Sequence, residues 1–348
     1  MNGFEKGTVA SENELFASGT EGYHSFRIPA LAVANDGTIL AICEGREDGQ
    51  DDYFAKALVI KRSTDNGVTW GEMQLIVSDP ELTMNNPTVV VDRQTGTIWL
   101  AYCKTAYYPY VVRSDDSGAT WSAPIDLTEQ VKLPNWELYD FAPGHGIQMA
   151  DGTLVLPADH IEGLRSDAVF SHSHVVLSDD HGETWRLGGS MGSFTTECEV
   201  VETRGGSLYM TVRSGKRGHG KRMFSRSDDG GATWSEMGEA EGLIDPGCQG
   251  SIVRLTDAES GDMDRVLLAN LDSNTRDNLT LRVSYDECQT WPLSKLLYPG
   301  PAAYSDLAIA ADGTAICFYE AGVTGPYGTL RLAQFNLEWI TLGSEEPA

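Results

Sequence analysis

Side chains able to do chemistry fall in a few clusters along the 348 residues. The densest is Glu44-Gly45-Arg46-Glu47-Asp48-Gly49-Gln50-Asp51-Asp52, an acidic, glycine-containing loop that follows a strand-like run. A carboxyl on a mobile loop can give up and regain a proton as a reaction proceeds, which suits general acid/base work; a solvated acidic turn is the plainer reading of the same residues. In Thr196-Glu197-Cys198-Glu199-Val200-Val201-Glu202, Glu197 and Glu199 share one strand face and Glu202 lies on the other. Arg213 follows Glu197 by 16 residues, the length of a β-hairpin, which brings both to one rim. A guanidinium fork pairs bidentately with a carboxylate and stays charged at any working pH, although a lone arginine is usually a surface ion pair. His172 and His174 share a strand face, but zinc needs a third ligand that the spacing does not supply, so they read as a surface pair. Asp65-Asn66-Gly67 is too short for a calcium loop, and there is neither a phosphate-binding glycine loop nor a Gly-x-Ser-x-Gly elbow. No metal or cofactor is expected.

The elements that must position these groups are announced by a repeat. Ser-x-Asp-x-Gly-x-Thr-Trp occurs at Ser63–Trp70, Ser114–Trp121, Ser178–Trp185 and Ser227–Trp234, and a fifth copy, Ser284–Trp291, carries Cys288 in place of Gly. The mean spacing is about 55 residues, the size of one four-stranded propeller blade, and the chain holds roughly six such units. Each copy follows a short β-run such as Ala57-Leu58-Val59-Ile60, which puts it on a hairpin turn. There Asp bonds local backbone, Gly takes a positive φ, and Trp buries the corner; Cys288 is strained if its φ is positive. Five equivalent Asp residues read as turn chemistry, not five active sites. Asp36-Gly37, Asp151-Gly152 and Asp312-Gly313 mark further turns between apolar runs, and helical periodicity is scarce. The expectation is an all-β, six-bladed β-propeller with residues 1–348 forming one catalytic domain and no lectin or linker domain; a β-sandwich would not explain the period.

Composition narrows the partners. Lys and Arg number 25 against 51 Asp and Glu, a formal net charge of −26, so nucleic acid and anionic membrane surfaces are disfavoured. No apolar run approaches 18 residues, so no membrane span is expected. Met1-Asn2-Gly3-Phe4-Glu5-Lys6 lacks a basic region followed by an apolar one, so no signal peptide is read there, and cytoplasmic and secreted locations are both compatible. The six cysteines show no framework spacing and read as buried free thiols, with disulfides the alternative.

Phe26-Arg27-Ile28-Pro29 followed by five Asp-boxes resembles the sialidase (neuraminidase) family, over about Tyr23 to Glu320. The resemblance implies three arginines that clamp a substrate carboxylate, matched by Arg27, Arg213 and Arg276, and a Tyr nucleophile, matched by Tyr304, with Glu197 as its base and Glu199 as the local competitor. It also implies an Asp acid/base, which selects Asp51 with Asp52 beside it, a sugar-binding or loop-orienting role for Arg46, and Glu320 steadying Arg27. Asn86-Pro87 and Gly144-His145-Gly146 are similar to family segments near the pocket and receive no catalytic role. A neutral phenol suits a sugar whose anomeric carbon bears a carboxylate, because an anionic nucleophile would be repelled. The implied activity is retaining exo-α-sialidase hydrolysis of terminal sialic acid from an oligosaccharide, glycoprotein or glycolipid. Action on another 2-keto acid sugar, transfer in place of hydrolysis, and a non-catalytic carbohydrate-binding propeller are the alternatives.

Overall fold

The computed structural model describes residues 11–163, 171–214, 220–258 and 262–341. Apolar runs buried on both faces build inner strands such as Ile39–Arg46 and Ala315–Ala321, and the helical segments among the described residues are short: Thr128–Val131, Leu337–Thr341 and a 3-10 turn at Asp52–Phe54. The strands form antiparallel meanders laid side by side in a propeller-like array. One meander runs through Ser25–Val33, Ile39–Arg46, Ala55–Ser63 and Gln74–Ser78, each strand paired with the one before. The next is built on Met84–Val91, Ile98–Lys104, Tyr108–Ser114 and Ile125–Asp126, with Gly144–His145 added in parallel on its inner edge. Trp136–Phe141, Leu154–Glu162, Ser171–Ser178 and Arg186–Ser190 form a third, and Thr195–Glu202, Leu208–Ser214, Lys221–Ser227 and Gly238–Ile244 a fourth.

Ile147–Gln148 also pairs with Leu154–Glu162, and seven further strands make one sheet whose seam is the 17-residue strand Leu293–Ile309. Up to Pro301 it pairs back onto Asp277–Ser284; from Ala302 it pairs forward onto Ala315–Ala321. Ser11–Ala17 then pairs with Thr329–Phe335, so the first and last described strands cover each other's edges.

The repeated turn has one geometry. In the second copy, Gly118 N donates to Ser114 Oγ at 2.9 Å, while Thr120 N and Oγ1 donate to the two Asp116 oxygens at 2.8 and 2.6 Å. Cys288 takes the glycine place with φ 63°, in the left-handed region, and its N–H still reaches Ser284 Oγ at 2.9 Å. Apolar clusters fill the spaces between sheets, as where Trp99 meets Trp185 edge-on at 6.0 Å. All six cysteines are buried and free. The histidines depart from expectation: His174 is fully buried, not at the surface, and His160 stacks on Trp136 at 3.5 Å. Burial pushes the His160 and His174 imidazoles down to about 2 and about 3, so this is a neutral aromatic core.

Candidate active site

Site side chains come from strands that lose register at their inner ends. Shifts occur between Arg27 and Ala30, between Asn85 and Thr88, between Thr195 and Cys198, and between Ala302 and Ser305. A bulge re-aims a side chain that regular alternation would send elsewhere. Arg27, Glu197 and Tyr304 all sit at these slips. Ile28 has φ 60°, a costly conformation for a β-branched residue, and its N–H is held by Glu320 Oε1 at 3.0 Å. Asn86, with φ 55°, is held the same way by Glu44 Oε1 at 2.9 Å.

The centre is Tyr304. Its hydroxyl donates to Glu197 Oε1, and Arg213 Nη1 donates both to Tyr304 Oη at 3.0 Å and to Glu197 Oε2 at 2.6 Å. The guanidinium carbons of Arg27 and Arg276 each lie 5.5 Å from the Tyr304 ring centre. Burial and the facing Glu197 push the phenol pKa well above its ordinary value, against the opposing pull of Arg213 and Arg276, so the resting group is protonated. Glu320 is fully buried and grips Arg27 through Nε at 2.9 Å and Nη2 at 3.3 Å. Its other reach, to Tyr304 N at 3.2 Å, ties the arginine to the tyrosine.

The structure thus brings Arg27, Glu197, Arg213, Arg276, Tyr304 and Glu320 together. Glu199 turns away to Gln249 and Ile252, which removes it as a partner of Tyr304. Arg46 is 1% exposed and is consumed by Glu44 at 2.6 Å and Asp52 at 2.8 Å, so its fork is taken by protein groups. Asp51 begins the 3-10 turn, exposed. Its loop is fastened to the Arg27 strand by Ser25 Oγ donating to Gly49 O at 2.8 Å. Gln50 of the same loop lines a cavity with Val323, Thr324, Gly325, Tyr327 and Gly328.

Tyr327 escaped sequence reasoning. Its ring stacks under Arg27 at 4.0 Å and its hydroxyl accepts from Arg276 Nη1 at 2.6 Å, joining two of the three arginines. Its only local signal is an aromatic in the turn Gly325-Pro326-Tyr327-Gly328, which any exposed hairpin can carry. Asp159 was also missed. It is a buried carboxyl whose pKa is driven well above the usual range by burial and by Glu197, against the pull of Arg213.

A propeller-like scaffold thus presents three arginines around a tyrosine–glutamate pair. A family model described as a BNR repeat-like domain matches residues 24–317. A sialidase of Micromonospora viridifaciens is 34% identical over 356 residues, covering 95% of this chain and 54% of that protein. A sialidase of Clostridium perfringens is 31% identical over 297 residues, covering 75% of this chain and 76% of the relative. Among solved structures, a Hadza microbial sialidase superposes with a TM-score of 0.85 at 29% identity, over 94% of this chain and 69% of that one. The chain belongs to the sialidase family, with a BNR repeat-like domain over most of its length. It spans about half the length of the Micromonospora relative.

Proposed function

We propose that the protein is a retaining exo-α-sialidase on a six-bladed Asp-box propeller, hydrolysing terminal α-linked sialic acid from glycoconjugates. The observation that carries this is the Tyr304 hydroxyl held between Glu197 and Arg213 inside a ring of three guanidinium groups. Arg27, Arg213 and Arg276 seat the sugar's carboxylate, and their summed charge draws an anion into a chain of net charge −26. Glu197 takes the phenolic proton as Tyr304 Oη attacks the anomeric carbon, and the guanidinium groups stabilise the oxygen as its charge develops. Asp51 protonates the departing glycosidic oxygen. The resulting tyrosyl glycoside is then attacked by water that Asp51 deprotonates, which returns Tyr304 and Glu197 to their starting states.

Release of methylumbelliferone from its N-acetylneuraminic acid glycoside, followed from about pH 4 to 8, tests the reading. Native protein should turn over and Tyr304→Phe should lose at least about 100-fold in kcat while staying folded. A folded native protein that releases nothing from this substrate contradicts the assignment and directs the search to other 2-keto acid glycosides.

A further inference from the structure

The groups assigned to the reaction stand on backbone that the strand ladder does not fix. Tyr304 and Glu197 both lie at register slips, so the amides beside them are left without their regular partners. At the tyrosine two side chains take over: Tyr304 N donates to Glu320 Oε2 at 3.2 Å, and Ser305 N donates to Gln249 Oε1 at 3.1 Å. Glu320 is already engaged with Arg27. Gln249 is anchored on the far side, its amide nitrogen donating to Glu199 Oε1 at 3.1 Å and to Pro143 O at 3.3 Å. Glu199 stands two residues beyond Glu197 on the same strand. One side chain therefore spans from the Glu197 strand to the amide next to Tyr304.

The anchor is itself immobilised. Glu199 Oε2 accepts from Ile252 N at 2.9 Å, and the carboxylate packs so closely over Gly144 that a Cβ there would stand 2.1 Å from Oε1. His145 Nδ1 lies 2.6 Å from Asp306 Oδ1 and 3.7 Å from Glu199 Oε2, bridging the two strands again. Asp306, two residues after Tyr304, also accepts from Ser251 Oγ at 3.0 Å and from Leu31 N at 2.6 Å. Gln249 is 2% exposed and both carboxylates are fully buried, where satisfied hydrogen bonds are rigid and an orphaned one is costly.

We propose that Gln249 is a positioning residue for Tyr304, setting the separation of the phenol from Glu197 by holding Ser305 N at a fixed distance from Glu199. The inference rests on the reading of Tyr304 as nucleophile and Glu197 as base. It is tested with Gln249→Met, which keeps the volume and removes all three hydrogen bonds, beside Gln249→Glu, whose carboxyl keeps the acceptor for Ser305 N and, sharing a proton with the adjacent buried Glu199, keeps the bridge to that strand. Positioning predicts that Gln249→Met loses about tenfold or more in kcat with KM within about twofold, and that Gln249→Glu stays within about fivefold of native. A purely structural role predicts the reverse order, because the added buried carboxyl beside Glu199 costs more stability than the methionine. A second readout needs no turnover: the ring carbon resonance of 13C-labelled Tyr304, assigned by its loss in Tyr304→Phe, should move in Gln249→Met and hold in Gln249→Glu. Activity that follows thermal stability across the pair, or a Tyr304 resonance unmoved in Gln249→Met, overturns the proposal. If native protein cleaves no sialoside, the glycosidase reading falls, and the resonance still decides whether Gln249 places the tyrosine.

Discussion

Tyr304 is buried against a carboxylate, an arrangement that raises its pKa and would make it inert alone. In the mechanism proposed above it acts as a nucleophile because the proton has a destination in Glu197 and the developing charge has Arg213 at 3.0 Å. The acid/base assignment turns on two adjacent residues with different surroundings. Asp52 is bound to Arg46, whereas Asp51 leads the loop turn from an exposed position. With 3′-sialyllactose, whose sugar leaving group needs protonation, Asp51→Asn should lower kcat about 100-fold or more. Asp52→Asn, which removes an exposed carboxylate from Arg46 but leaves that buried guanidinium its partner Glu44, should change it less than about fivefold; equal losses, or a larger one at Asp52, would reverse the assignment. The arginines, Tyr304, Glu197 and Glu320 were legible only through the family resemblance, since each alone reads as an ordinary ion pair or strand-end residue, and the structure brings them together. Tyr327, Gln249 and Asp159 were not, because their importance lies in partners far along the chain: Tyr327 meets Arg276 across 51 positions and Gln249 meets Ser305 across 56.

Strands were readable as short apolar runs beside turn signals and their turns from the repeat, but the bulges that aim Arg27, Glu197 and Tyr304 leave no mark in a pattern of apolar and polar residues. In the structure Ile28 marks its slip by a left-handed backbone, as Asn86 does at the slip of the neighbouring sheet. The repeated turn is the element whose physics is most nearly local. Asp116 accepts from Ser114 Oγ, Thr120 N and Thr120 Oγ1, and these bonds hold its carboxyl down to about 2. A carboxylate depressed in the folded state contributes stability above the unfolded pKa of about 4, and that contribution is lost as pH falls through the folded value. Asp116→Ala should therefore cost about 1 kcal/mol at pH 7 in denaturant unfolding, with the gap from native narrowing as pH drops from about 4 toward 2. A variant with an unchanged midpoint at pH 7 would show that the turn is held by its backbone alone.

At the scale of the molecule, the meanders bring inner strands of different sheets into contact across long sequence gaps, as where Leu31 N donates to the Asp306 carboxylate. The spacing of the repeats made this repeat architecture legible. The seam strand Leu293–Ile309 and the pairing of Ser11–Ala17 with Thr329–Phe335 were not, because nothing local to those segments encodes a partner at the other end of the chain. The site inherits that geometry: Arg27, the pair Glu197 and Arg213, and Tyr304 with Arg276 just before Asp277–Ser284 come from three different sheets and meet only when the array is assembled. The central claim is that the sugar becomes covalently bound to the tyrosine. Incubation with a difluorinated sialic acid, which slows both formation and breakdown of a glycosyl intermediate, followed by proteolysis and mass spectrometry, addresses it directly. The account predicts one added sugar on the peptide containing Tyr304 and none in Tyr304→Phe. An adduct on Glu197 or Asp51, or steady hydrolysis of sialosides with no adduct on any peptide, would contradict it.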